Sequence, residues 1–487
     1  MITRKANRFL SHPWVLACLP LALFLSLAAV CCRSTVDDAF ISFRYARNLA
    51  EGHGLVFNLG ERVEGFSNPL WVFILSLISA LRGNIVVASK VIGLACAAVT
   101  LVLLARLCRT ALSLSRLATF AILCYAATNI SLVYYAISGL ETALYMAALV
   151  LMIDLLAEKR EIAAGVACAV LALTRPEGII YVAPLALGCA LGGCRGRRLL
   201  AVLAIPIGAI GAYTAFRLWY YGALVPNSFH AKIGVFPSSI AQTFSRFDVF
   251  KRYTLKASTI EWPLLLLALA GAAATLKRRA APMLASVAVC AFFVWYSKGD
   301  WMGFWRFYTP VVPFLAALVV VALELARSKL RRFRVAKVLA VALFVPFLMS
   351  SGRAILSAQA LRRGEHFNPA MHSRVHIEIA KFLAERTSGS DVIVSNEIGA
   401  IGFYTRCTVV DMLGLTDPIV SSLLHRGDLE PYGDYILSKR PAFVILNNRQ
   451  TPADTGFHPV HAAVYRRMMA TGEYELAREF PLNEYRS

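Results

Sequence analysis

The sequence predicts a polytopic α-helical membrane protein with a small soluble α/β domain at its C-terminal end. Three observations lead there. The 487 residues are 58% hydrophobic with a mean hydropathy of +0.61, above the roughly half-apolar composition of a soluble domain. The formal charge of +21 is unevenly spread: residues 353–487 hold 15 basic and 15 acidic side chains, so the whole excess lies in the apolar part. Short basic loops orient helices in that way, and the distribution argues against a nucleic-acid partner. Finally, the composition changes near residue 353, from long apolar runs to short β-branched and helical stretches.

The apolar runs fall near 13–32, 69–81, 85–107, 117–136, 140–157, 162–174, 177–193, 198–220, 260–276, 281–298, 305–326 and 335–350. The first follows Arg4, Lys5 and Arg8 and has no small-x-small cleavage site before Asp37. It reads as an uncleaved helix that starts in the cytoplasm. Basic clusters at Arg106/Arg109/Arg116, Lys159/Arg160, Arg195/Arg197/Arg198, Lys277/Arg278/Arg279 and Arg327–Arg334 mark cytoplasmic ends. They agree with one another only if one run does not cross, and the short 69–81 is read as a re-entrant or half-depth helix. About eleven crossings remain, which puts the C-terminal region on the trans side. The expected domains are 1–352, a membrane domain with an outer loop at 33–68, and 353–487, a soluble α/β domain. In the latter a helix is expected at 371–387, strands at 391–395, 407–411 and 442–446, and helices near 418–425 and 431–439. Ten of the eleven cysteines lie in or beside apolar runs, which is no disulfide or zinc framework.

Acidic residues outside the C-terminal region concentrate at the trans ends of the helices, and the candidate chemistry lies there. Asp37 and Asp38 follow the first apolar run. Carboxylates at a membrane boundary lose hydration and are seldom kept without a task, although acids also suit a helix N-terminus. If 37–50 is helical, the two point about a hundred degrees apart, so one alone need face a cavity. In the glycine-rich stretch that follows, Glu64 and Asn68 could meet a sugar hydroxyl or simply fix the loop. Glu141 stands in Ser138-Gly-Leu-Glu-Thr142 at an outer turn. Thr174-Arg-Pro-Glu-Gly178 interrupts an apolar stretch of some thirty residues, where proline and glycine break the helix. Arg175 there needs an anion: Glu177, or a lipid phosphate that a guanidinium fork suits. Asn227, His230 and Lys232 lie in Pro226-Asn-Ser-Phe-His-Ala-Lys232. Asp300 and Arg306 lie in Lys298-Gly-Asp-Trp-Met-Gly-Phe-Trp-Arg306, where the tryptophans suit either the interface or a sugar ring.

Acids at a reacting carbon, with cations on a departing phosphate, are what glycosyl transfer from a lipid phosphate requires. No nucleotide-binding glycine motif, HExxH, Walker A or GxSxG arrangement is present. A transporter or flippase for a lipid-linked sugar is the alternative. It would need the intramembrane arginine but not the acidic, aromatic outer loop, and it usually shows paired repeats, of which there are none.

Taken in order, Asp-Asp-Ala-Phe-Ile-Ser-Phe-Arg-Tyr-Ala-Arg-Asn-Leu, Glu-Gly-Phe-Ser-Asn-Pro-Leu-Trp, Ser-Gly-Leu-Glu-Thr, Thr-Arg-Pro-Glu-Gly, Pro-Asn-Ser-Phe-His-Ala-Lys, Gly-Asp-Trp-Met and Asp411-Met-Leu-Gly-Leu-Thr-Asp-Pro418 resemble the C-type integral-membrane glycosyltransferases. Within that superfamily they resemble the terminal β-(1→2) arabinofuranosyltransferase group of the mycobacterial cell wall and its bacterial relatives. The resemblance implies a polyprenyl-phosphate-sugar donor, a cell-envelope glycan or glycolipid acceptor, and transfer on the trans side of the plasma membrane. It puts Asp37 and Asp38 at the catalytic centre and Arg175 near the donor phosphate. Lys232 and Arg306, read from their own outer loops, are further candidate phosphate-binding cations. Glu64, Asn68, Glu141, Glu177, Asn227, His230 and Asp300 are the remaining substrate-binding candidates. The C-terminal domain would engage the acceptor. A divalent cation could join the adjacent carboxylates, but no further ligand is identifiable from sequence. This chain is shorter than typical mycobacterial members, which leaves sugar and acceptor open.

Overall fold

A computed structural model describes residues 13–32, 35–233, 251, 281–297, 299–300, 302–329, 369–447 and 459–480. The expected apolar runs at 260–276 and 335–350 lie outside the described residues. The chain forms two compact units. One comprises Met1–Ser34, Ser89–Tyr213 and Pro237–His366; the other comprises Thr35–Ala88, Thr214–Phe236 and Phe367–Ser487.

The first unit is helical. Its apolar sequences give helices at Pro13–Cys31, Thr142–Ala157, Glu161–Thr174, Val182–Gly192, Ala281–Ser297 and Val312–Lys329, and most of those at Ile85–Thr110 and Gly196–Tyr221. Among the described residues, three helices are long and apolar enough to cross a membrane, or four if a bent pair counts as one span. That pair is Arg116–Thr128 and Ile130–Ile137, bent by 53°. Asn129 makes the bend: its backbone ends one helix, and its side chain accepts from the Ser131 and Leu132 N–H groups to start the next. Close helix contact comes from small residues. A Cβ on Gly93 would overlap the Ala136 carbonyl oxygen. The Arg106 guanidinium is held by the fully buried Asp154.

The second unit is built on a parallel three-stranded sheet of order β2-β1-β3, with β1 at Val392–Ser395, β2 at Thr408–Asp411 and β3 at Phe443–Val444. Parallel strands need crossover connections, and the helices Gly399–Thr405, Pro418–Arg426 and Leu429–Ser438 supply them. Asp417 caps the Pro418–Arg426 helix by accepting from Ile419 and Val420 N–H, and Gly427 ends it in a left-handed conformation. The core of this part packs Val394, Val410, Met412, Val420, Tyr432, Ile436 and Val464.

The first-loop segment belongs to the same unit. Its Asp37–Ala50 helix lies against Gly399–Thr405 through Phe40, Phe43 and Phe403. Arg44, 2% exposed, donates to the carbonyls of Phe57 (2.6 Å), Gly402 (2.9 Å) and Cys407 (2.7 Å). Asn58 donates to the Val409 carbonyl and accepts from its N–H, both at 3.0 Å, so an amide side chain satisfies the outer edge of β2. The Pro69–Ala80 helix is 12 residues long, about 18 Å and short of a bilayer core.

Candidate functional site

Two clusters hold the predicted site residues, one in each unit. In the second unit, Asp37 opens its helix but caps another. Its carboxylate accepts the Gly399 N–H on Oδ2 and the Ala400 N–H on Oδ1, both at 2.9 Å. A glycine is required at 399, because a Cβ there would overlap the Asp37 carbonyl oxygen. Asp37 is 3% exposed, whereas Asp38 is half-buried. The pair therefore divides: one carboxylate is committed to backbone donors and the other keeps access to solvent.

Two groups that sequence reasoning missed join Asp37. His376, from the Pro369–Ala384 helix, places Nδ1 3.7 Å from Asp37 Oδ1. Glu397 lies two residues past the carboxyl end of β1, where open α/β sheets put ligands. One ligand-type atom from each of Asp37, His376 and Glu397 lies within 4.8 Å of the others. Burial first, then the charge of Asp37, pushes the Glu397 carboxyl well above the usual range. Burial holds His376 down at about 4, so its imidazole is neutral at pH 7. The end of a β-branched run was the available signal for Glu397; His376 carried none, being one polar residue on an amphipathic helix.

The other predicted residues of this unit fix the loops. Glu64 is ion-paired with Arg217, with both side chains buried. Asn68 accepts from Ser42 Oγ at 3.1 Å. Asn227 donates to the carbonyls of Gly414 (2.7 Å) and Leu415 (3.0 Å). His230 is exposed, and the Lys232 side chain lies outside the described residues.

The first unit brings Glu141, Arg175, Glu177, Asp300 and Arg306 together. The Glu161–Thr174 helix ends because Arg175 precedes a proline, and its backbone is extended (φ −152°, ψ 142°). Pro176 then starts a 3₁₀ turn, and Gly178 packs where a Cβ would overlap the Leu171 carbonyl. Arg175 donates Nε to Glu177 and Nη1 to Glu141 Oε1 at 3.3 Å. Arg306 donates to the same Glu141 oxygen at 2.8 Å and stands 3.9 Å from Asp300. Arg306 is aimed by a strained turn: Phe304 and Trp305 have φ of 58° and 50°, which bulky residues rarely adopt. The turn is held by Ser131 Oγ on the Phe304 carbonyl at 2.7 Å and by the Tyr135 hydroxyl on that of Gly303.

Arg175, Glu177 and Arg306 line a narrow cavity with Tyr145, Tyr181, Cys290, Phe293, Phe307 and Pro310. The Arg175 guanidinium lies 5.1 Å from the Phe307 ring centroid and 5.8 Å from that of Tyr145. Its Nη2 donates to none of the described residues. The aromatic lining was not foreseen, since each ring sits in an apolar run where it reads as core.

Residues 362–486 match a family described only as a domain of unknown function (DUF8728). No curated protein sequence matches the chain. Among solved structures, the chain is similar to ArnT from Cupriavidus metallidurans bound to undecaprenyl phosphate. The TM-score is 0.56 at 12% identity, over 90% of this chain and 96% of that one. Apo ArnT gives 0.51 at 14% identity, over 82% and 86%. The apo oligosaccharyltransferase of Archaeoglobus fulgidus gives 0.52 at 12% identity, over 86% of this chain and 68% of that chain. Against that enzyme's complex with Zn and sulfate, the chain spans 62% of its length. At such identities the likeness is one of architecture: the chain has the fold of the ArnT structures.

Proposed function

We propose that the protein is a membrane glycosyltransferase that moves a sugar from a polyprenyl-phosphate donor to a cell-envelope glycan or glycolipid on the trans side of the plasma membrane. Arabinofuranose is the sugar that the sequence resemblance names. The observation that carries the reading is the cavity in the first unit. Two guanidiniums share one carboxylate oxygen there, at a helix break, beside an aromatic lining. An arginine with an unused Nη2 donor is suited to a phosphate oxygen, and the rings offer an apolar wall to the first isoprene units. One of the similar ArnT structures binds undecaprenyl phosphate, which favours the same ligand chemistry here.

In this reading Arg175 and Arg306 stabilise the departing phosphate, while Glu141, Glu177 and Asp300 hold the two guanidiniums apart and oriented. Asp38, as an ionised carboxylate, is the general base that takes the acceptor hydroxyl's proton as the new glycosidic bond forms and the sugar–phosphate bond breaks, releasing polyprenyl phosphate. Asp37 is a positioning residue, because its carboxylate is bound to backbone donors. The test is transfer from radiolabelled polyprenyl-phosphate sugars, arabinofuranose first, by the purified full chain in lipid nanodiscs. Transfer by the wild type and a drop of about 10²–10⁴-fold in Asp38→Asn are expected. No transfer from any polyprenyl-phosphate sugar tested, or full transfer by Asp38→Asn, would overturn the reading.

A further inference from the structure

Given the donor site proposed above, on which this rests, we propose that Glu177 is an exchangeable ligand of Arg175. Its carboxylate gives way to the donor phosphate and, on returning, expels the polyprenyl phosphate left by transfer. Two guanidiniums, Arg175 and Arg306, stand among three carboxylates, Glu141, Glu177 and Asp300. The acids outnumber the cations, so a phosphate is held there only when one carboxylate steps aside.

Glu177 is the acid placed to do so. One oxygen of Glu141 binds both arginines, so its departure would release both. Of the three acids, Glu177 lines the cavity, and its side chain is 11% exposed against 2% for Glu141. The exchange needs no backbone motion. Pro176 has a ring-fixed φ and Gly178 is packed against the Leu171 carbonyl, so the turn stays while the carboxyl swings about its own torsions. Glu141 and Asp300 then keep the guanidiniums oriented. The chemistry supplies the return. The donor phosphodiester carries one charge. When the sugar–phosphate bond breaks, its electron pair stays on the phosphate oxygen, and Asp38 takes the acceptor's proton. The phosphate becomes a monoester of about −1.5 to −2 charge, which two arginines hold more tightly than the donor. Glu177 competes for the same guanidinium at high effective concentration, being tethered two residues from it.

The experiment is calorimetric titration of the purified full chain with farnesyl phosphate, with farnesol as control. The wild type should bind the phosphate and not the alcohol. Glu177→Gln keeps the shape and removes the charge, and should bind farnesyl phosphate at least about tenfold more tightly; Glu177→Ala should change in the same direction. In transfer assays both variants should show a lower KM together with a lower kcat, because product release slows. A carboxylate that only orients Arg175 gives the reverse, weaker binding and a raised KM. If either variant binds no more tightly than the wild type, the inference fails. Infrared difference spectra of the wild type on adding farnesyl phosphate read the exchange without any substitution: a shifted carboxylate band is expected, and an unchanged one overturns the inference. A wild type that binds farnesyl phosphate beside variants that bind no tighter overturns this inference alone. A wild type that binds no farnesyl phosphate overturns the donor site itself.

Discussion

Replacing Asp37 and Asp38 one at a time by asparagine should separate structure from chemistry at the first loop. In Asp37→Asn one amide oxygen remains for two backbone donors. The new NH₂ faces either the Gly399 or the Ala400 N–H, donor against donor. One charge-assisted bond is lost, worth about 1.5–3 kcal/mol, and one buried N–H is left unsatisfied at a further ~1–3 kcal/mol. Relief of the repulsion with Glu397 returns part of this, so a net loss of about 2–4 kcal/mol is expected. Half-buried Asp38 makes neither of those two backbone contacts, and its change should cost less than that of Asp37. Denaturant unfolding of the full chain, followed by tryptophan fluorescence, measures both. Transfer assays on the same preparations should show Asp38→Asn folded and inactive, and Asp37→Asn unstable with activity that returns on cooling. Equal stability of the two variants would refute the division of roles drawn from the hydrogen bonds.

Other outcomes follow from the same geometry. Gly399→Ala drives a methyl into the Asp37 carbonyl and should cost about 1–3 kcal/mol; an unfolding midpoint equal to wild type would count against the close approach. Arg175→Lys keeps the charge but loses the fork to Glu177 and Glu141, so transfer should fall by roughly tenfold or more, read as kcat against KM. Arg217→Met removes the guanidinium paired with the buried Glu64 carboxylate and should destabilise the chain by about 3–5 kcal/mol, in part restored by adding Glu64→Leu. Burial raises Asp411 from 3.8 to about 6. Its contribution to stability is therefore complete below pH 3.8 and is lost as pH rises through 6, by ~3 kcal/mol. The low value of His376 acts with the opposite sign, so the comparison is between the pH slopes of the wild type and Asp411→Asn; identical slopes would contradict the shift.

Much of the secondary structure was legible because local signals were strong. The β-branched runs put strands at 391–395 and 407–411, and they form at Val392–Ser395 and Thr408–Asp411. Thr174-Arg-Pro-Glu-Gly178 announced a break, and the helix ends at Thr174. The bend at Asn129 was missed, because asparagine inside an apolar run looks tolerable until its side chain is seen capping the next turn. Site partners were legible only where charge is scarce: Arg175 had to find an anion, and Glu141 and Glu177 were the nearby candidates. Glu64, Asn68 and Asn227 look the same in sequence whether they hold a sugar or a loop, and here they hold loops. His376 and Glu397 stand more than 300 residues from Asp37, and no local pattern links groups so separated.

The second unit gathers three stretches that are far apart along the chain: Thr35–Ala88, Thr214–Phe236 and Phe367–Ser487. A bilayer cannot run through hydrogen bonds such as Asn58 with Val409 or Asn227 with Gly414. These stretches must therefore end in the same compartment. That is a constraint on biogenesis as well as on architecture. The first loop reaches its destination early in synthesis but lacks two of the acceptors of Arg44, the Gly402 and Cys407 carbonyls, until the last quarter of the protein is delivered. A premature stop anywhere before Gly402 should thus disable the entry loop, though every residue of that loop has been made.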